Sequence, residues 1–131
     1  MRLLVDTHIA VWAVTTDPKL PRRARRLIEA GENTVFVSIA SLWEIAIKSQ
    51  LRRGRRDEMR LTAAQAAVEF EAAGFDLLPI TAEHAIAVET LPRLHGDPFD
   101  RILVAQARSE PLRLLTSDAQ LAAYGETVEL V

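Results

Sequence analysis

Five carboxylates, Asp6, Glu44, Asp97, Asp100 and Asp118, stand at or near the junctions between apolar runs and helical patterns in this chain of 131 residues. Acids gathered within a few ångströms of one another resist full ionisation, because like charges raise each other's pKa. A hard divalent cation removes that conflict. Oxygen ligands select Mg²⁺ or Mn²⁺, and Mg²⁺ typically keeps several waters while taking only one or two carboxylates directly. The chemistry such a site suits is phosphodiester hydrolysis, with an acidified water as nucleophile and a neutralised leaving oxygen. Each acid also has a plain structural use: Asp6 and Asp118 as helix caps, Asp97 as the cap before Pro98, Asp100 as a first-turn acid, and Glu44 as partner of Ser41 or Lys48.

Whether these acids meet depends on the elements that carry them. Leu3-Leu4-Val5 is a short apolar run of the kind that forms a buried strand, and Asp6 marks its carboxyl end. A short helical pattern over 7–14 follows, then a second over 19–30 with Leu20, Ala24, Leu27 and Ile28 on one face and arginines on the other, stopped by Gly31. Residues 34–37 read as a second strand. Ser38 opens a helix to about Gln50, whose apolar stripe is Ile39, Leu42, Trp43 and Ala46, with Glu44 off that stripe.

The segment 52–60, poor in apolar residues and centred on Gly54, reads as an exposed loop or lid, and a helix over 62–73 closed by Gly74 comes next. Residues 76–80 form a third strand, with Pro79 pointing to an edge or terminal position. Thr81 begins a helix to about Thr90, on which His84 reads as a surface residue. Asp97-Pro98 is a strong start for a helix to about Ser109. Residues 112–116 are a fourth strand, Ser117 or Asp118 caps a short helix, and 127–131 are a fifth strand.

Strands alternating with helices over the whole length imply a single α/β domain over 1–131, a three-layer α/β/α sandwich around a five-stranded, mostly parallel sheet. In that architecture the carboxyl ends of strands and the amino ends of helices share one edge, which is where ligand crevices lie. Asp6, Glu44, Asp97, Asp100 and Asp118 all fall on it.

Composition sets bounds without naming a function. There is no cysteine, so disulfides and thiolate metal sites are excluded. The net charge of −2 argues against a surface that grips nucleic acid all over. Yet all basic residues except Lys19 and Lys48 are arginine, and two tight groups, Arg22, Arg23, Arg25, Arg26 and Arg52, Arg53, Arg55, Arg56, are candidate phosphate-binding patches. Asp6 and His8 break the first apolar run too early for a signal peptide, and no run reaches membrane-spanning length, so a cytoplasmic protein without a membrane partner is expected.

The ordered set Asp6-Thr7-His8, Ser41-Leu42-Trp43-Glu44-Ile45, His95-Gly96-Asp97-Pro98-Phe99-Asp100-Arg101 and Thr116-Ser117-Asp118 resembles the PIN-domain ribonucleases, specifically VapC-type toxins of bacterial toxin–antitoxin pairs. The resemblance covers essentially the whole chain. It implies a Mg²⁺- or Mn²⁺-dependent endoribonuclease acting on structured RNA such as tRNA or rRNA, a homodimer neutralised by a small VapB-type antitoxin. Carried over residue by residue, the four acids are Asp6, Glu44, Asp100 and Asp118, with Asp6 and Asp100 as direct metal ligands and Glu44 and Asp118 holding waters or a second ion. Asp97 is a cap or supplementary acid, and Thr7, Thr116 and Ser117 support the carboxylates. His8, His95, Arg101, Arg52 and Arg53 are candidate RNA contacts; Arg101 would hold Asp97 or a scissile phosphate. Trp12 and Trp43 read as core or partner interface. Three alternatives stand beside this reading: a phospho-receiver module, a partner-binding domain without turnover, and a metal-dependent DNA nuclease.

Overall fold

The computed structural model describes residues 1–51 and 61–131. The segment read as a loop or lid, with Arg52, Arg53, Arg55 and Arg56, lies outside the described residues. Five strands, β1 (Arg2–Val5), β2 (Thr34–Ser38), β3 (Asp76–Leu78), β4 (Arg113–Thr116) and β5 (Val128–Leu130), form one sheet in the order β3-β2-β1-β4-β5. Every pairing is parallel. The sheet is therefore wholly rather than mostly parallel, as expected when each strand returns through a helical crossover.

The apolar runs are short and continuous because β1 and β4 are buried on both faces. Leu3 and Val5 point into one core with Val35, Val37 and Leu115, beneath α1 (Thr7–Val14), α2 (Arg22–Glu29) and α4 (Ala63–Ala72). Leu4 and Leu114 point into the other, with Leu103, Val104, Leu121 and Tyr124, beneath α6 (Pro98–Ser109) and the 3₁₀ segment Ala119–Thr127. The period-two alternation of side chains thus builds the three layers.

Local signals set most boundaries. Helix α4 begins at a capping box of Thr62 and Gln65 and ends where Gly74 takes φ +82°. There the Phe75 amide donates to the Phe70 carbonyl and the Gly74 amide to that of Glu71, while the Phe70 and Phe75 rings sit 6.2 Å apart. This is a glycine-terminated helix stop with its apolar clasp. Phe70 is fully buried, so Phe70→Ala is expected to lower stability by about 3–5 kcal/mol in urea unfolding.

Three expectations need correction. The second helix starts at Arg22 rather than at Lys19, because Pro21 precedes it and disfavours helical backbone at Leu20; the Lys19 amide instead donates to Asp17 Oδ1 in a turn. On α3 (Ile39–Leu51) the buried face is Ala40, Ser41, Glu44 and Ile45, while Ile39, Trp43 and Ala46 are exposed, Trp43 at 61%. Glu44 is thus on the inward face, turned there by polar partners that apolar periodicity does not register. His84, read as surface, is fully buried between α5 (Ala82–Thr90) and α6. Its Nδ1 accepts from the Thr81 amide at 3.1 Å, so Nε2 carries the proton and donates to Glu110 Oε2 at 2.8 Å.

Candidate metal centre

Strand order reverses between β1 and β4, the position at which an open parallel sheet leaves a crevice beyond its carboxyl ends. The Asp6 amide still donates to the Leu115 carbonyl, at 3.0 Å, extending the β1–β4 pairing by one residue. Past that point the chains diverge into α1 and into the turn of Thr116, Ser117 and Asp118. A cleft of about 450 Å³ opens there, lined by Asp6, Thr7, His8, Glu44, Asp97, Asp100, Ser117 and Asp118, with Trp12, Lys48, His95 and Gln120 completing the wall.

Asp6 is buried, its Oδ1 accepting from the Ile9 amide at 2.9 Å and its Oδ2 from the Thr116 hydroxyl. The Thr116 oxygen in turn accepts from the Asp118 amide at 3.0 Å, so one hydroxyl ties the ends of β1 and β4 together. Glu44 is buried as well. Thr7 Oγ1 donates to its Oε1 at 2.6 Å and lies 2.8 Å from Ser41 Oγ, while Lys48 Nζ is 2.9 Å from Oε2. Asp97 caps α6 through the amides of Phe99 (2.8 Å) and Asp100 (3.3 Å), and Asp118 caps the 3₁₀ segment through the Gln120 amide at 2.9 Å. The structural roles foreseen for Asp6, Asp97, Asp118 and the Glu44–Lys48 pair are therefore real. They coexist with a shared cleft, since each carboxylate oxygen has a second lone pair.

The acids feel one another. Burial pushes Asp100 up from the ordinary carboxylate value to about 7, with Asp97 adding to the rise, His95 opposing it, and Asp6 and Glu44 adding further. Asp6 is raised mainly by burial; the Thr116 hydroxyl, the Ile9 amide and His8 oppose the rise, and Glu44 adds to it. The site is thus short of positive charge.

His95 Nε2 stands 3.3 Å from Asp118 Oδ2 and 3.5 Å from Asp100 Oδ2. Among the described residues, His95, Asp100 and Asp118 can each offer a ligand atom within 4.8 Å of the others. Hydrogen bonding separates their roles. The Asp97 amide donates to His95 Nδ1 at 3.1 Å, which leaves the ring proton on Nε2 and makes that atom a donor to Asp118 Oδ2, with Asp100 nearby. With the histidine spent as a donor, the ligands that remain are oxygens. That donor set fits Mg²⁺ or Mn²⁺.

Not every candidate joins the cleft. Arg101 does not hold Asp97. Its Nη1 donates to the carbonyls of Pro92 (3.1 Å) and His95 (3.5 Å) and to Tyr124 Oη (3.3 Å), and its Nη2 donates to the Val88 carbonyl at 3.1 Å. Arg23, from the first arginine group, is bound to Glu129 and the Leu130 carbonyl and fastens α2 to β5. Trp43 stacks edge-on against Phe99 at 5.2 Å, outside the cleft. Trp12, read as core or interface, is half-buried and lines the cleft beside His8, ring centroids 5.6 Å apart. The spacing of four between His8 and Trp12 was the available signal.

A wholly parallel sheet whose switch point gathers carboxylates defines an α/β domain built around an acidic cleft. The PIN domain model matches residues 3–126, and the chain belongs to the PIN-domain family. Over 122 residues it is 27% identical to ribonuclease VapC22 of Mycobacterium tuberculosis (strain ATCC 25618 / H37Rv), a span covering 93% of this chain and 91% of that protein. Its fold matches that of VapBC2 from Rickettsia felis, solved bound to a DNA fragment from their promoter, with a TM-score of 0.68, 17% identity, and 100% and 98% of the two chains covered. A toxin–antitoxin complex from Klebsiella pneumoniae matches with a TM-score of 0.64, 20% identity, and coverage of 97% and 95%. The strand order also departs from the 2-1-3-4-5 order of the flavodoxin-like fold to which receiver modules belong, which removes the phospho-receiver alternative.

Proposed function

We propose that this chain is a divalent-metal-dependent endoribonuclease, the toxin of a VapBC-type pair, which hydrolyses phosphodiester bonds in structured RNA such as tRNA or rRNA. The observation that carries this reading is the meeting of Asp6, Glu44, Asp100 and Asp118 in one cleft where Asp100 holds a proton up to about pH 7. Similarity to a ribonuclease and to toxin–antitoxin complexes supports the substrate class and a VapB-type antitoxin partner. A homodimer and a cytoplasmic location belong to the same proposal; among the described residues no helix is long and apolar enough to cross a membrane.

Asp6 and Asp100 would hold the ion, which when bound would supply an acidified water and charge neutralisation for in-line displacement. Asp6 is kept at a fixed angle by its bonds to Ile9 and Thr116, an orientation that costs no rearrangement during reaction. Glu44, fixed by Thr7 and Lys48, would orient a water in the cleft. Asp118 has the most exposed side chain of the four, at 39%, and takes the proton of the attacking water. The His95 Nε2–H donates to Asp118 and so orients the carboxylate that takes this proton.

The test is cleavage of total RNA by the purified chain with Mg²⁺ or Mn²⁺, with EDTA, and with single-stranded DNA as competitor substrate. Discrete RNA fragments that require the metal are expected. Cleavage that persists in EDTA would overturn the metal assignment, and cleavage of DNA alone would overturn the substrate.

A further inference from the structure

RNA carries a negative charge at every phosphate, and the proposed catalytic cleft is walled by five acids. Among its described lining residues Lys48 is the lone basic side chain of lysine or arginine type, and it is 2.9 Å from Glu44. Neutralising the scissile phosphate leaves its neighbours on the strand without counter-charge inside this cleft. A strand seated across the site therefore needs a cationic surface beside it.

One adjoins it directly. A second cavity of about 470 Å³ is lined by Arg93, Leu94, His95, Gly96 and Arg101. His95 lines both cavities, so the two adjoin at that residue. The volume falls within the range of about 300–1,000 Å³ usual for small-ligand sites. Its chemistry is opposite to that of the cleft. The Arg101 guanidinium is fixed by three carbonyl oxygens and the Tyr124 hydroxyl, all uncharged acceptors. Among the described residues no carboxylate lies within ion-pair distance of Arg101 or of Arg93. Two guanidinium charges thus line one cavity with no ion-pair partner among the described residues, Arg101 held from α6 and Arg93 exposed on the loop before it.

We propose that the Arg93–Arg101 cavity holds the RNA phosphate next to the scissile one, with Arg93 as its movable cation and Arg101 as its fixed one. This rests on the ribonuclease reading above and deepens it by assigning a direction to the strand: from the acid cleft, past His95, toward the loop 91–97. Arg101 also holds that loop to α5 and the 3₁₀ segment, so its replacement would disturb the fold, and Arg93 is the residue to vary.

Steady-state cleavage of an RNA oligonucleotide carrying one scissile bond, with saturating Mg²⁺, should be compared for the parent chain, Arg93→Gln and Arg93→Lys across a series of salt concentrations. Arg93→Gln is expected to raise KM about three- to tenfold and to lower the slope of log KM against log salt by about 1, the signature of one lost phosphate contact. The fall in kcat/KM should be carried by KM, and Arg93→Lys should recover most of it, because a phosphate accepts either cation. If the parent cleaves RNA and Arg93→Gln matches it in KM and salt slope, the phosphate site is overturned while the ribonuclease reading stands. A fall confined to kcat would also overturn it. A parent chain that cleaves no RNA with Mg²⁺ removes both.

Discussion

Asp100→Asn is expected to reduce RNA cleavage by at least about 100-fold while making the metal-free protein more stable at pH 8. The two effects share a cause. Even groups that merely orient metal ligands typically cost about 10–100-fold in metal affinity or activity when replaced, and Asp100 is assigned as a ligand itself. Its carboxyl sits at about 7 in the folded protein against 3.8 ordinarily, because burial and then Asp97 disfavour its charge. With a raised pKa the folded state binds its proton more tightly than the unfolded state does. The contribution of Asp100 to stability is therefore fully present below about pH 4 and is lost as pH rises through about 7. Asparagine cannot ionise, so the variant should melt higher than the parent at pH 8 and close to it near pH 4. Thermal unfolding in EDTA at the two pH values, alongside the cleavage assay, checks both halves. Wild-type activity in the variant would end the assignment of Asp100, and a variant less stable at pH 8 would show that its charge is not a burden on the fold. Asp6→Asn should match it in activity, since Asp6 is the other carboxylate assigned to the ion and its charge is likewise disfavoured by burial.

Metal binding should show the converse linkage. An ion that binds only the folded protein stabilises it by about 2.7 kcal/mol at a hundred times its Kd. For a domain of this size each kcal/mol moves Tm by about 4 °C, so saturating Mg²⁺ or Mn²⁺ at pH 8 should raise Tm by roughly 10 °C. Protons compete for Asp100, and the shift should shrink as pH falls through about 7 and be small near pH 5. It should be reduced in Asp100→Asn at every pH. Calorimetry or a thermal-shift titration over that range decides the matter. An equal shift in the variant would place the ion elsewhere, and no shift at pH 8 would favour a partner-binding domain without turnover.

The parts of this site that were legible in the chain are those written in local chemistry. Asp6 ends an apolar run, Asp97 precedes Pro98, and Asp118 follows Thr116 at the close of β4; each capping preference is set by neighbours within three residues. Glu44 was legible as a member of the acid set but not as a buried side chain. Its burial depends on Thr7, 37 residues away, and on Ser41, whereas the apolar periodicity of α3 points to Ile39, Trp43 and Ala46. His84 was misread for the same reason: its partner Glu110 is 26 residues distant and caps the end of another helix.

By itself the amino-acid order determined the alternation of strand and helix, the three layers, the helix stop at Gly74, and the placement of the five candidate acids on one edge. These follow from backbone sterics, side-chain period and capping, which act over a few residues. Tertiary structure alone decided that His95 is hydrogen-bonded to Asp118 and to the Asp97 amide, that Arg101 is held by carbonyl oxygens rather than by Asp97, and that a cationic cavity adjoins the acidic one. Those outcomes turn on which lone pair or N–H is already occupied. That occupancy is set by groups brought together across the sheet, and Coulomb and hydrogen-bond energies depend on distance in space, not along the chain.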